Sequence, residues 1–474
     1  MIGTIRLTDA AARFGGTLYN GPSHLLSNEE SNKEPSTIDT EFNSVSIDSR
    51  KIGQGDLFVA LVGERLDAHN YLDQVVGKAG AAVVSTLNKQ LPLVQWVVED
   101  TTVALGQLAQ LQREKFTGTV VAVTGSTGKT SVKELIASIL GQLGSVHFTR
   151  GNFNNHIGVP LTLLAMESDG DFAVIEMGAS AGGEISYLCS IAQPHIALIN
   201  NVQLAHIEGF GSIEGVAAAK GEIYSGLQAS GTAALNFDEP WTDQWRDLIA
   251  ERACISFSLS NPNADISAAD IEVLENGCCR FRLKTALGTQ AVTLNIPGRH
   301  SVNNALAAAA CAVAAGASLD QIVAGLQLGT SPDRRLQVKN LPGGAVVIDD
   351  SYNASPSSMC AAIDVLAASA GRKILVLGDM AELGADKQEL HRQVGDYAKN
   401  AGIDQLFTLG RLSALISQAF GDGKHFEDFD LLKESLCREV FGEDGKRSDL
   451  TVLVKGSRSS QMDLVVDMLL AEKS

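Results

Sequence analysis

The segment Val120-Val121-Ala122-Val123-Thr124-Gly125-Ser126-Thr127-Gly128-Lys129-Thr130-Ser131 constrains this chain more than any other. Small and β-branched residues run as a strand, two glycines punctuate a turn, and Val132, Leu135, Ile136, Ile139 and Leu140 follow at helical spacing. A turn that empties into a helix gathers backbone N–H groups at one point, Lys129 adds a full charge, and the Thr130 hydroxyl can ligate Mg2+. A helix terminus contributes about 0.3–1 kcal/mol, whereas unit charges about 4 Å apart at an effective dielectric of about 20 interact by about 4 kcal/mol. Lys129 and a metal ion should therefore dominate phosphate binding. The general phosphate-loop pattern would carry a first glycine at Val123, so the turn here is the shorter Gly125-x-x-Gly128-Lys129-Thr130.

At 474 residues the chain exceeds what one hydrophobic core holds, and two to four domains are expected. No apolar run approaches the roughly 18–20 residues of a membrane span, so membrane insertion is not expected. Met1 to Arg6 lacks the basic-then-apolar order of a signal peptide. Seven cysteines, scattered without metal spacing, fit a reducing cytoplasm. The formal net charge of −18 argues against nucleic acid, whose non-specific affinity comes from clustered Lys and Arg.

The expected fold is α/β in three domains, at 1–116, 117–328 and 329–474. In the first, short apolar runs such as Leu57 to Ala60 and Ala81 to Val84 predict a small α/β unit, and the polar stretch Gly21 to Asn43 reads as a mobile surface insertion. Ser49 and Arg50 could bind a diphosphate, because a guanidinium fork takes two oxygens, although spacing alone favours an Asp48–Arg50 surface pair. The second domain holds the phosphate loop in a parallel sheet. Its strand Asp171 to Glu176 ends in a carboxylate, where ligands gather, so Glu176 is a candidate Mg2+ ligand. Lys220 lies among alanines at 217–219, an odd setting for a lysine that would otherwise snorkel to water. His206 precedes it and reads as a loop histidine or a ligand. Short alternating runs around Asn276-Gly277 and Leu287-Gly288 predict added antiparallel hairpins. The third domain has three apolar strands ending at Asp350, Asp379 and Ser457, alternating with helical patterns, which implies a Rossmann-like doubly wound sheet that closes over the nucleotide.

Taken together, Thr124 to Thr130, the run Gly151-Asn152-Phe153-Asn154-Asn155-His156-Ile157-Gly158-Val159-Pro160, Glu176-Met177-Gly178, and Ala205-His206 with Ala219-Lys220 resemble the Mur ligases, the ATP-dependent amide-forming enzymes of bacterial cell-wall precursor synthesis. Asp349 to Ala354, Leu377 to Gly384 and Val454 to Ser459 resemble the members that add D-alanyl-D-alanine to UDP-N-acetylmuramoyl-tripeptide. The resemblance implies these two substrates, ATP and Mg2+ as cofactors, an acyl phosphate intermediate and a cytoplasmic monomer.

The resemblance also implies roles. Gly125, Ser126, Thr127, Gly128, Lys129, Thr130, Asn304, Arg335, Asp350, Tyr352 and Asn353 would hold the nucleotide. Thr130, Glu176, His206 and a carbamylated Lys220 would serve the metal. Ser49, Arg50, Asn154, Asn155 and Lys455 would meet the other substrates, and Lys129, Lys220, His206 and Arg335 would carry catalysis. Three positions depart from the family pattern: Ser301 and Ser355 stand where asparagines are usual, and Ala68 replaces a glycine before His69.

Overall fold

The structure, a computed structural model, describes residues 5–21, 42, 44–203, 207–442 and 449–471. The expected insertion at 21–43 falls almost wholly outside the described residues, as does His206. Three separate sheets organise the rest. The first has five strands in the order Thr17–Tyr19, Val94–Val97, Ala81–Val84, Leu57–Val59, Val45–Ser46, parallel except at the Thr17–Tyr19 edge. Ala81 to Val84 are buried throughout, which is why this strand reads as an unbroken apolar run rather than an alternating one.

The central sheet has nine strands, and Thr119–Thr124 sits between Ile196–Ile199 and Phe172–Glu176. Parallel pairing extends outward to Val146–Phe148 on one side and through Thr232–Asn236 and Ala253–Ser258 to Ile266–Val273 on the other. There the order changes: Cys278–Thr285 and Gly288–Pro297 continue antiparallel, turning at Gly277 and Gly288 as the sequence predicts. The alanine-rich helix His300–Ala314 is buried against this sheet because only small side chains allow so close an approach.

The third sheet has six strands, with Gln337–Asn340 antiparallel at one edge, then Val346–Asp350, Leu450–Lys455, Arg372–Gly378, Gln405–Leu409 and Lys424–Phe426 all parallel. Two apolar clusters cover its two faces, one built with helices Pro356–Ala368 and Lys387–Asn400, the other with Phe429–Phe441 and Asp463–Ala471. That is the doubly wound arrangement expected from the alternation of strands and helices.

The helix Thr101–Lys115 joins the first sheet to the second. Its buried Arg113 donates to the carbonyls of Ala192, Gln193 and Phe116, and one apolar cluster runs from the first sheet through this helix to one face of the central sheet. The first unit is therefore packed onto the second and not merely tethered.

Candidate active site

The loop after strand Thr119–Thr124 begins its helix at Lys129, with Gly128 as the N-cap at φ 75°, a left-handed conformation that favours glycine. A Cβ at Gly128 would stand 2.7 Å from Asn200 Nδ2 and 2.8 Å from Asn304 Oδ1. Those two side chains are themselves joined, Asn200 Nδ2 donating to Asn304 Oδ1 at 3.0 Å. Asn304, predicted at the nucleotide, thus braces the underside of the loop. Lys129 Nζ folds back to donate to the Gly125 carbonyl at 2.8 Å, and burial pushes its ammonium below the ordinary lysine range, with Glu176 opposing and Arg335 reinforcing the shift. A desolvated cation held over the loop is the arrangement in which a phosphate gains most from it.

Thr130 and Glu176 meet as expected. The Thr130 hydroxyl donates to Glu176 Oε2 at 2.9 Å, Asn154 Nδ2 donates to Oε1 at 2.8 Å, and the carboxylate is 2% exposed. The chemistry of this pair suits Mg2+, which takes one or two protein oxygens and completes its octahedron with water and phosphate oxygens. Among the described residues no three His, Cys, Asp or Glu side chains cluster as a dedicated metal cage. Asn155 Oδ1 accepts from the N–H groups of Ile157 and Gly158, starting the helix Gly158–Leu164.

The opposite wall comes from the third sheet. Arg335 lies between Arg334 and Leu336, non-glycine residues at φ 58° and 52°, each a conformation costing about 1–3 kcal/mol. Its guanidinium stacks 4.1 Å over the Tyr352 ring. Lys455 is buried and bonded to Asp350 Oδ2 at 2.5 Å and to the Asn353 carbonyl at 2.9 Å, while Asp350 Oδ1 accepts from the Leu336 N–H. Both oxygens of Asp350 are thus engaged within the third unit. Together with the loop, Glu176, Asn154, Asn304 and Arg335, these residues line one cleft of about 1250 Å3.

Four expected site residues stand elsewhere or beyond view. Lys220 does not line this cleft; it is 2% exposed in helix Ile213–Ser225, 5.9 Å from the Phe210 ring. Burial and the nearby Lys129 charge hold its ammonium well below the ordinary range. Ser49 and Arg50 follow strand Val45–Ser46 in the first unit. Arg50 makes a bidentate pair with Asp48, both bonds 2.8 Å, and Ser49 Oγ donates to Gln74 at 3.1 Å. His206 lies outside the described residues.

Against known proteins, the profile of the Mur ligase middle domain matches residues 123–312, and that of the Mur ligase, glutamate ligase domain matches residues 334–458. The UDP-N-acetylmuramoyl-tripeptide--D-alanyl-D-alanine ligase of Escherichia coli (strain K12) is 46% identical over 92% of this chain and 96% of its own. The chain belongs to the Mur ligases. A crystal structure of MurF from Acinetobacter baumannii, 34% identical, superposes with a TM-score of 0.89 over 99% of this chain and 100% of that one. MurF ligase from Thermotoga maritima in complex with ADP, 28% identical, gives 0.80 over 90% and 97%.

In this Mur ligase two of the three departures from the family pattern have a local use. Ser355 caps helix Pro356–Ala368 in a reciprocal capping box with Ser358. Ser301 donates its hydroxyl to the Pro297 carbonyl at 2.8 Å, securing the start of helix His300–Ala314. Two cleft residues carry no sequence signal. Gln203 clasps the phosphate loop, and Glu239, beside Asp238, has a carboxyl pushed up to about 7 by burial and the neighbouring charge, against the pull of the Val202 N–H. An isolated Gln or Glu after a strand has no spacing partner to betray it.

Proposed function

We propose that this Mur ligase joins D-alanyl-D-alanine to UDP-N-acetylmuramoyl-tripeptide with hydrolysis of ATP to ADP and phosphate, as a monomer in the cytoplasm. The observation that carries the reading is the shared cleft, whose phosphate loop faces Arg335 and Lys455 from another sheet. Its volume exceeds the roughly 300–1,000 Å3 of a single small-molecule site, leaving room for a nucleotide and a peptide end together. The identity to the E. coli ligase over most of both chains supports the substrates, and the ADP complex of the Thermotoga enzyme supports the nucleotide.

In this reading residues 1–116 bind the UDP end, with Ser49 and Arg50 at its diphosphate; 117–328 bind ATP; and 329–474 close the cleft. The tripeptide carboxylate oxygen bonds to the γ-phosphorus as the bond to ADP breaks, giving an acyl phosphate. The amine of D-alanyl-D-alanine then bonds to the acyl carbon, phosphate leaves, and the nitrogen gives up a proton. Two anions must approach one another, so Lys129 on one wall and Arg335 on the other offset their repulsion. Mg2+ bound through Thr130 and Glu176 would supply further positive charge to the phosphates. Asn154 holds the Glu176 carboxylate in place, and Asn155 and Lys455 face the peptide end. Lys220 acts as a carbamate: its neutral Nζ bonds to the carbon of carbon dioxide with loss of a proton, giving an anionic group that would support the metal, with His206 as a further ligand. The buried setting and depressed ammonium of Lys220 favour the neutral amine this requires.

The test is phosphate release from ATP with UDP-tripeptide and D-alanyl-D-alanine supplied singly and together. Release should require both. Equal release without either one would overturn the assignment.

A further inference from the structure

We propose that Gln203 is a positioning residue that ties closure of the third sheet unit to the shape of the phosphate loop; this rests on the ligase reading above. Gln203 follows strand Ile196–Ile199 and holds the loop twice. Its backbone N–H donates to Ser126 Oγ at 2.9 Å, and its carbonyl lies 3.1 Å from the same hydroxyl as acceptor. Its side-chain Oε1 accepts from Thr127 Oγ1 at 3.2 Å and also from Ser357 Oγ. Ser357 belongs to the first turn of helix Pro356–Ala368, on the closing unit. One carboxamide oxygen therefore uses both its lone pairs on hydroxyls from opposite walls of the cleft.

The neighbouring contacts fix what the loop can do. Asn201 Oδ1 accepts from the Thr127 N–H at 2.9 Å, and the Ser126 N–H donates to the Asn201 carbonyl at 2.9 Å. Asn200 Nδ2 also donates to the Thr127 carbonyl at 3.0 Å, so the backbone of the Ser126-Thr127 dipeptide is held from Asn200–Gln203, while the Gln203 carboxamide oxygen reaches the closing unit only through Ser357. When the closing unit docks, Ser357 fixes the Gln203 side chain, and through it the Thr127 hydroxyl beside the phosphates. When that unit swings away, Gln203 Oε1 exchanges Ser357 for water and the carboxamide is free to rotate. Gln203 touches no reacting atom in this scheme; it orders the loop when both walls are present. A neutral hydrogen bond of this kind biases such an equilibrium by about 2- to 10-fold.

The experiment compares the full-length enzyme with Gln203→Met, Ser357→Ala, Ser357→Thr and the Gln203→Met/Ser357→Ala double variant. Hydrogen exchange is read with and without a non-hydrolysable ATP analogue, and kcat and the KM for ATP are measured alongside. Each of the first two variants should lower kcat by about 2- to 10-fold, and the analogue-induced protection of residues 351–358 and of the loop residues 125–130 should fall together. The double variant should be no worse than the poorer single one, because both remove the same contact, and Ser357→Thr should behave as wild type. Multiplicative losses in the double variant, or wild-type protection at 351–358 in both singles, would overturn the proposal. If the wild-type enzyme fails to release phosphate with both peptide substrates, the functional reading falls, while the exchange comparison still decides the role of Gln203.

Discussion

Lys220 illustrates how one residue acquires chemistry from its surroundings. In the sequence it is a lysine among alanines, which local pattern alone would have snorkel to water; in the fold it is 2% exposed, and its ammonium is disfavoured by burial and by Lys129. A lysine kept neutral is a nucleophile for carbon dioxide. Lys220→Ala should lose about 10- to 100-fold in activity, the range typical of residues that support a metal ligand set. Small added carboxylates should restore part of it, and wild-type protein equilibrated with 13C-labelled carbon dioxide should show a carbamate carbon resonance that the variant lacks. Full activity of Lys220→Ala without additives would contradict this. Arg50 shows the other side of legibility. Both readings of its sequence setting, an ion pair with Asp48 and a diphosphate contact, stay compatible with the fold, because the Asp48 pair leaves the guanidinium largely exposed.

At the scale of elements, the strand–turn–helix from Thr119 to Leu140 was legible because each part announces itself: β-branched run, glycines, helical apolar spacing. The reason for Gly128 becomes quantitative only in three dimensions. Its left-handed φ costs another residue about 1–2 kcal/mol, and a Cβ would press on Asn200 and Asn304, which are held to each other and cannot easily yield. Gly128→Ala should therefore lower stability in denaturant unfolding by about 1–2 kcal/mol and weaken ATP binding measured by calorimetry. Unchanged stability and affinity would show that the loop tolerates a side chain there. The hairpins at Gly277 and Gly288 were legible for the same reason of turn chemistry. Contacts made across elements were not. Gln203 to Ser357, or Asn200 to Asn304, joins residues more than a hundred positions apart, and no local pattern encodes such a meeting.

The whole molecule places Lys129 and Arg335 in one cleft of a chain of net charge −18. Its overall field repels anions, so in the proposed function capture of ATP and the UDP-peptide would fall to Lys129 and Arg335 at short range, where the Debye length of about 8 Å at physiological salt screens the distant carboxylates. The first unit shares an apolar cluster with the central sheet, whereas the third meets the second across the cleft, so in the proposed function closure would belong to the third unit. In the proposed function the cleft activates a carboxylate by phosphorylating it. Tripeptide substrate labelled with oxygen-18 in its terminal carboxylate tests this most directly, through mass analysis of the phosphate released on ligation. An acyl phosphate leaves one carboxylate oxygen on phosphorus, so the released phosphate should carry the label; unlabelled phosphate accompanying ligated product would contradict the account.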